Sequence, residues 1–320
     1  KTNRQDSYCL IEDDQPNFIV LEEENPDSDP KITENFLKNL QSSLDIRGER
    51  NVDLGIERSN SGDSMTMVIN QMVVDHISWR IIIEEFVNLY IENDQGQSCL
   101  PKESNSYLDW IDYLTKLNVD DEKAYWRSIE EEEIQEIIKS PSVSRRVKNN
   151  RKIRFILDKE SSQLLVDSQK INLHYSVQNI VLTAVITALN EFSGQNRFRI
   201  TLGNNGRFVA DQLLNISRTV GRFASLFPVI LTANEKSNFL EKVLTTAKIL
   251  DSIPNQGIGY GILKYFKKEF DEDIQPKISF NFMGDFDNVS GSGFDISTRS
   301  ALYDIDQEAD WPYYLKFVVL

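Results

Sequence analysis

The sequence predicts an α/β chain, an α+β sandwich divided into two lobes, and three observations predict it. Short β-branched or aromatic runs alternate with segments of helical period along the whole length, the pattern of helices laid on sheets. The 320 residues exceed what one ordinary core holds. The stretch Met65–Tyr90, MTMVINQMVVDHISWRIIIEEFVNLY, contains a complete strand, polar turn and amphipathic helix.

That stretch organises the rest. Met65 to Val74 is apolar apart from Thr66, Asn70 and Gln71, so it reads as a buried strand broken by a polar pair. Asp75-His76 forms the turn. Ser78 is placed to cap the helix, with Ile81, Ile82, Glu85, Phe86 and Leu89 at helical spacing.

Upstream, Ser7–Ile11 and Asn17–Glu22 are short strand candidates, and Ile32, Phe36, Leu37, Leu40 and Leu44 mark a helix. Ile56–Arg58 leads through a hairpin-like loop into the central strand. Downstream, Tyr107–Leu114 and Asp120–Ile138 read as helices, and the acidic run Glu130–Glu133 reads as a solvated face. Lys139–Lys152 is Ser-rich and basic, and it is taken as the connection between lobes at residues 1–143 and 144–320, each expected to be incomplete at its outer end. Then come a strand at Ile153–Leu157, a helix at Asp158–Gln169, and a helix at Ser176–Phe192 that is apolar nearly all round and expected to be buried. Strands at Phe198–Gly203, Leu226–Thr232 and Lys277–Met283, a helix at Phe239–Ile253, and a strand beginning in Trp311–Leu320 complete the reading.

The totals exclude several classes. A net charge of −15 disfavours nucleic acid or an anionic membrane as the main partner, since both need basic surface. Two cysteines, Cys9 and Cys99, make no disulfide framework, and with two histidines, His76 and His174, a His/Cys metal site is not expected. No apolar run reaches the roughly 18–20 residues of a membrane helix, and the start is no signal peptide. A reduced, cytoplasmic setting fits. The first residue is Lys, so the chain is expected to be a piece of a longer protein.

The central stretch also resembles the core motif of the condensation superfamily of nonribosomal peptide synthetases, His-His-x-x-x-Asp-Gly, and its continuation resembles the epimerization subtype. Asp75, Ser78, Trp79, Arg80 and Ile81 match; Asn70 and Gln71 stand in place of the two histidines, and His76 in place of the glycine. Four later stretches follow in order. GNNGRF (Gly203–Phe208) sits where the subtype has Glu-Gly-His-Gly-Arg-Glu, matching at Gly206 and Arg207. SRTVGRFASLF (Ser217–Phe227) resembles Ser-Arg-Thr-Val-Gly-Trp-Phe-Thr-Ser-Leu-Tyr. PNQGIGYGILKY (Pro254–Tyr265) and ISFNFMGDFD (Ile278–Asp287) resemble two further motifs.

The resemblance implies two chloramphenicol-acetyltransferase-like lobes forming a V. A central tunnel between them would admit the phosphopantetheine arm of a peptidyl carrier protein as substrate carrier, with no other cofactor. It implies adjacent synthetase domains as partners and, for non-catalytic members, a recruited tailoring enzyme. An active epimerization domain moves the α-proton of a thioester-bound residue from one face to the other, which needs a base near working pH. The expected positions are Gln71 and Gly203, and neither an amide nor a bare backbone titrates. His76 is the neighbouring group that does, although a surface or turn histidine is the plainer reading. Asp75 matches a residue whose role in the family is structural.

Among binding candidates, Ser78, Arg207, Arg218, Tyr260, Ser279 and Asn281 lie in the matched motifs. Arg218 suits either a phosphate or an internal ion pair. Alternation puts Ser279 and Asn281 on one strand face with Phe280 and Phe282 on the other. Gly257, Gly259 and Gly261 lack nucleotide-loop spacing and are read as a tight bridging loop. Three readings stand: an epimerization-like domain that has lost catalysis and docks carrier-bound peptides or recruits partners; an active epimerase or condensation enzyme with an altered site; and a standalone acyltransferase-like binding module.

Overall fold

The capping signals of the sequence set the helix starts. The structure is a computed structural model that describes residues 22–23, 30–45, 50–57, 63–93, 104–137, 146–171, 175–209, 214–233, 236–270, 276–284 and 311–319. The early strand candidates except Glu22, both cysteines and His174 lie outside these residues. So does the first half of the expected connection, residues 139–145. The described residues before Ser104, joined by Arg218–Arg222, form one compact unit; those of Ser104–Ser217, Phe223–Phe286 and Gln307–Leu320 form a second.

The first unit is a three-stranded sheet in the order β1 (Glu22–Glu23), β2 (Val52–Glu57), β3 (Ser64–Ile69), with helices α1 (Pro30–Ser42) and α2 (His76–Asn93). β2 and β3 form the expected antiparallel hairpin, from Glu57 opposite Ser64 to Val52 opposite Ile69. α1 presses on β2 where Gly55 leaves room: a Cβ there would lie 2.3 Å from the Phe36 ring. Beside it Asp53 is buried, held by Arg50 Nε at 2.9 Å and by the Ser43 hydroxyl.

The central strand ends five residues earlier than its apolar run, at Ile69. Asn70 bends the chain: its Oδ1 accepts from the Met72 amide at 3.0 Å and its carbonyl from the Val73 amide at 3.0 Å. A side chain that satisfies a nearby amide offers the backbone an alternative to the ladder. Met72 is left 61% exposed in the turn.

The second unit is a four-stranded sheet in the order β5–β4–β6–β7, with β4 at Arg197–Asn204, β5 at Ser225–Thr232, β6 at Ile278–Phe282 and β7 at Leu315–Val319. β4 pairs antiparallel with β5 and parallel with β6, and β6 parallel with β7. Phe198, Ile200, Leu202, Phe227, Val229, Leu231, Ile278 and Phe280, which share one face by register, join Trp110, Trp126, Leu182, Ile186 and Leu189 in one core.

The helices of this unit are α3 (Tyr107–Lys116), α4 (Lys123–Glu131), α5 (Lys159–Ile171), α6 (Val177–Ser193), α7 (Phe239–Asp251) and the short α8 (Ile258–Gly261). Ser106 and Asn238 close capping boxes at α3 and α7, and Ser176 caps α6.

Four expectations for this unit are corrected. The helix expected over Asp120–Ile138 is a 3-10 turn at Asp120–Glu122 followed by α4, which ends at Glu131. Ile153–Leu157 is not a strand: among the described residues no strand pairs with it, and Ile153 is 92% exposed. A strand needs a neighbour for its backbone groups, so composition alone does not make one. α6 buries Leu182, Ile186 and Leu189 but leaves Ala184, Ala188 and Phe192 exposed, so it is one-faced. The glycine-rich stretch is no loop: it runs as a 3-10 turn (Pro254–Gly257), α8, and a π turn (Ile262–Phe266).

Candidate functional site

In the first unit the motif turn is fastened by a segment far away in sequence. Asp75, rather than Ser78, caps α2: its Oδ1 accepts from the Ser78 amide at 2.7 Å. Ser78 is fully buried, and its hydroxyl donates to the Gly221 carbonyl at 2.8 Å and accepts from the Gly221 amide at 3.0 Å. One side chain thereby satisfies both main-chain groups of a residue 143 positions away.

The strap formed by residues 218–222 makes two more contacts. Arg218 spans Glu84 and Glu85, with Nη2 2.9 Å from Glu85 Oε1 and Nη1 3.3 Å from Glu84 Oε2. Arg222 donates from Nη1 to the Gln71 carbonyl at 3.0 Å. The first and third motifs therefore meet within one unit, which their spacing does not reveal. Arg222, which stands at the Trp position of the motif, was missed as a site residue; that departure was the available signal.

Asn70 is half-buried, and the Gln71 side chain is exposed. His76 opens α2, half-buried. Burial holds its imidazole below the ordinary value, the Arg80 charge adds to that, and Asp75 opposes it. His76 is accordingly neutral at neutral pH and able to accept a proton.

In the second unit the GNNGRF stretch turns sharply off β4. Asn204 Oδ1 accepts from the Gly206 amide at 3.2 Å, and Asn205 Oδ1 from the Arg207 amide at 3.0 Å. Gly206 has φ +68, and a Cβ on it would fall 1.7 Å from the Phe223 carbonyl oxygen, so glycine is required. Arg207 donates to the Ile216 carbonyl at 2.8 Å and lies 4.0 Å over the Phe223 ring. Gly203 faces Asn281 across the sheet; a Cβ there would lie 3.1 Å from Asn281 Oδ1. Ser279 is buried and Asn281 half-buried on the same face of β6, and Ser279 stands opposite Thr201 and Lys316 in register.

The glycine-rich helical stretch encloses two acidic side chains. Glu122 is buried and accepts from Trp126 Nε1 at 2.7 Å and Asn255 Nδ2 at 2.6 Å, over a Gly259 whose missing Cβ leaves the room. Glu130 is bonded by the Tyr260 hydroxyl and by Lys264 Nζ at 3.2 Å, and Lys264 also reaches the Tyr260 oxygen at 2.9 Å. Burial first, and then Glu130, pushes the Tyr260 phenol well above its usual range. The acidic run is therefore not a uniformly solvated face: Glu130 turns inward because a buried cation and a phenol meet it. Lys264, four residues after Tyr260, was the missed partner, and the interval of one helical turn was its only sequence signal.

A strand–turn–helix locked by a distant strap, with an α/β sheet unit beside it in the chain, defines a class. The condensation domain family model matches residues 3–317, and the chain belongs to that family, with its resemblance inside it to the epimerization subtype. Surfactin synthase subunit 1 of Bacillus subtilis is 32% identical over 300 residues, covering 90% of this chain and 8% of that protein. Bacitracin synthase 3 of Bacillus licheniformis is 31% identical over 269 residues, covering 80% of this chain and 4% of the relative. The chain thus spans a small fraction of the length of these relatives. The crystal structure of the epimerization domain from the third module of tyrocidine synthetase B superposes with a TM-score of 0.81 at 26% identity, over 94% of this chain and 71% of that one. The condensation domain of the Monacolin K polyketide synthase MokA, at 18% identity and TM-score 0.66 over 83% of this chain and 63% of that one, shares the fold. The fold class is the chloramphenicol-acetyltransferase-like α/β architecture expected.

Proposed function

We propose that this domain receives a peptidyl thioester on the phosphopantetheine arm of a carrier protein in a nonribosomal peptide synthetase, and holds it without racemising it. One observation carries the reading. The positions at which the resemblance places proton transfer are Gln71 and Gly203, while the turn that carries Gln71 is held by hydrogen bonds and an ion pair through Asp75, Ser78, Arg218 and Gly221. A primary amide and a glycine cannot exchange a proton with a Cα–H at neutral pH. Carrier protein and adjacent synthetase domains are the partners this function needs, in the cytoplasm. Among the described residues no helix is long and apolar enough to cross a membrane.

A second reading is favoured by His76, whose neutral imidazole is the titratable group nearest the motif pair in sequence after the capping Asp75: the domain epimerises with His76 as base. One experiment separates the two. A peptidyl thioester loaded on its carrier protein is incubated with the protein in deuterated water, and α-deuterium is followed by mass spectrometry. Exchange at the no-enzyme rate, with retained carrier binding, is the expected result. Exchange above that rate, lost in His76→Gln, establishes the second reading and overturns the first.

A further inference from the structure

One face of the second unit's sheet carries groups that the core does not use. Phe198, Ile200 and Leu202 of β4 join the core, so Arg199, Thr201 and Gly203 alternate to the other face. Register sets Thr201 beside Ser279 of β6, and Ser279 beside Lys316 of β7, as one row across three strands. Neighbouring strands lie about 4.8 Å apart, so the three side chains share a short strip. Thr201 and Ser279 are 7% and 6% exposed, whereas Lys316 is exposed. The row therefore runs from cover to solvent. Among the described residues neither hydroxyl has a hydrogen-bond partner. Other buried hydroxyls do: Ser78 bonds Gly221, and Thr183 bonds Thr246 at 2.9 Å. Lys316 has no carboxylate partner among the described residues, and its amine lies 5.3 Å from the Trp311 ring centroid. Loss of water alone lowers its pKa from the ordinary lysine value, with no acid to raise it. Lys123, Lys264 and Lys267, by contrast, each meet a carboxylate. No Asp or Glu occurs on β4, β5, β6 or β7. Arg199, on the same face, is taken up by the carbonyls of Glu130 and Glu132.

We propose that Thr201, Ser279 and Lys316 form a site for a phosphate group. A buried hydroxyl without a partner is uncommon, and two in one row call for an acceptor between them. Both hydroxyls can donate, and the lysine supplies charge. Phosphate offers several outward oxygens to donors set in a row, and lysine meets it as a point charge. A carboxylate is better matched by the planar fork of an arginine, which this row lacks. The site lies in the second unit, away from the motif turn, and stands without the thioester reading. Its phosphate is either a free ion or the phosphate of a pantetheine arm, and the recognition chemistry is the same for both.

Trace acetylation of the 320-residue protein by acetic anhydride is read at each lysine by peptide mass spectrometry. Inorganic phosphate is titrated against potassium chloride at equal ionic strength. Phosphate is expected to slow acetylation at Lys316 in a saturable way and to leave Lys267 unchanged, while chloride leaves both unchanged. The midpoint of protection gives the phosphate Kd. Ser279→Ala is expected to raise that Kd about fivefold, the worth of one hydrogen bond, without lowering Tm, because the hydroxyl has no partner to lose. Thr201→Val is expected to do the same and serves alone where Ser279→Ala does not fold. A hydroxyl that served only the fold would lower Tm and leave the Kd where it was. Phosphopantetheine protecting at lower concentration than inorganic phosphate, with pantetheine giving no protection, assigns the phosphate to the arm; protection by inorganic phosphate at the same or lower concentration assigns it to the free ion. Equal slowing by chloride, equal slowing at Lys267, or an unchanged Kd in the hydroxyl variants overturns the site.

Discussion

Glu130, Tyr260 and Lys264 are three buried residues whose polar side chains are tied to one another. Asn70, Gln71 and Gly203 do not themselves titrate: one side chain is half-buried, one is exposed, and one position has no side chain at all. Burying an ion pair is costly and is tolerated only with good geometry and further hydrogen bonds. The molecule therefore keeps its demanding chemistry in its supports, while the positions expected to react carry groups that can only donate, accept or make room.

Removing one support tests that contrast most severely. Lys264→Met leaves the Glu130 carboxylate buried beside a phenol with no cation, and should cost about 3–5 kcal/mol, read as a large fall in Tm. An unchanged Tm would show that the buried cluster is not a support. Next in size, Ser78→Ala strands the amide and carbonyl of buried Gly221, at about 1–3 kcal/mol by urea unfolding. Retention of full stability would mean that the strap holds without its hydroxyl bridge.

A smaller effect is expected from pH at the motif turn. His76 has its folded pKa held below the unfolded value of 6.5, chiefly by burial, so the unfolded state binds its proton more readily. Its contribution to stability is present above 6.5 and is lost as pH falls through the lowered folded value. Unfolding midpoints measured across that window should show a slope that flattens in His76→Gln; equal slopes would remove the histidine from the account. The smallest change is expected at the reacting position itself. Gln71→His, on an exposed side chain, should shift stability by less than about 0.5 kcal/mol and leave α-proton exchange at background. Exchange restored by this single change would sharpen the comparison differently, by showing that the supports are already arranged for proton transfer.

Local chemistry was what the sequence displayed well. Helical period located α3, α6 and α7 to within a residue or two, because it is carried by residues that are close neighbours in the chain. The β2–β3 hairpin and the strands β4 to β7 were legible for the same reason. The strand expected at Ile153–Leu157 was not formed, since pairing depends on a partner that periodicity does not contain. Ser78 looked like a cap because its type and place suit one, yet its hydroxyl belongs to Gly221, and Asp75 three residues earlier does the capping. Glu130 sat among glutamates of identical appearance, and only the third dimension distinguishes it by bringing Lys264 to it. Motif resemblance exposed the altered positions one at a time; that Gln71 and Arg222 touch required the fold.

The strap has a consequence for how such domains can be recombined. The five residues that secure the first unit's turn are encoded between stretches that build the second unit. A chimera of two relatives joined at any single point between Ser104 and Ser217 would inherit the turn from one parent and its fastening from the other. Where the parents differ at the positions of Gln71 and Arg222, or of Glu85 and Arg218, the hybrid would carry mismatched halves of each contact. Crossovers made in pairs, so that residues 218–222 travel with the turn they hold, keep the lineage of the contact intact.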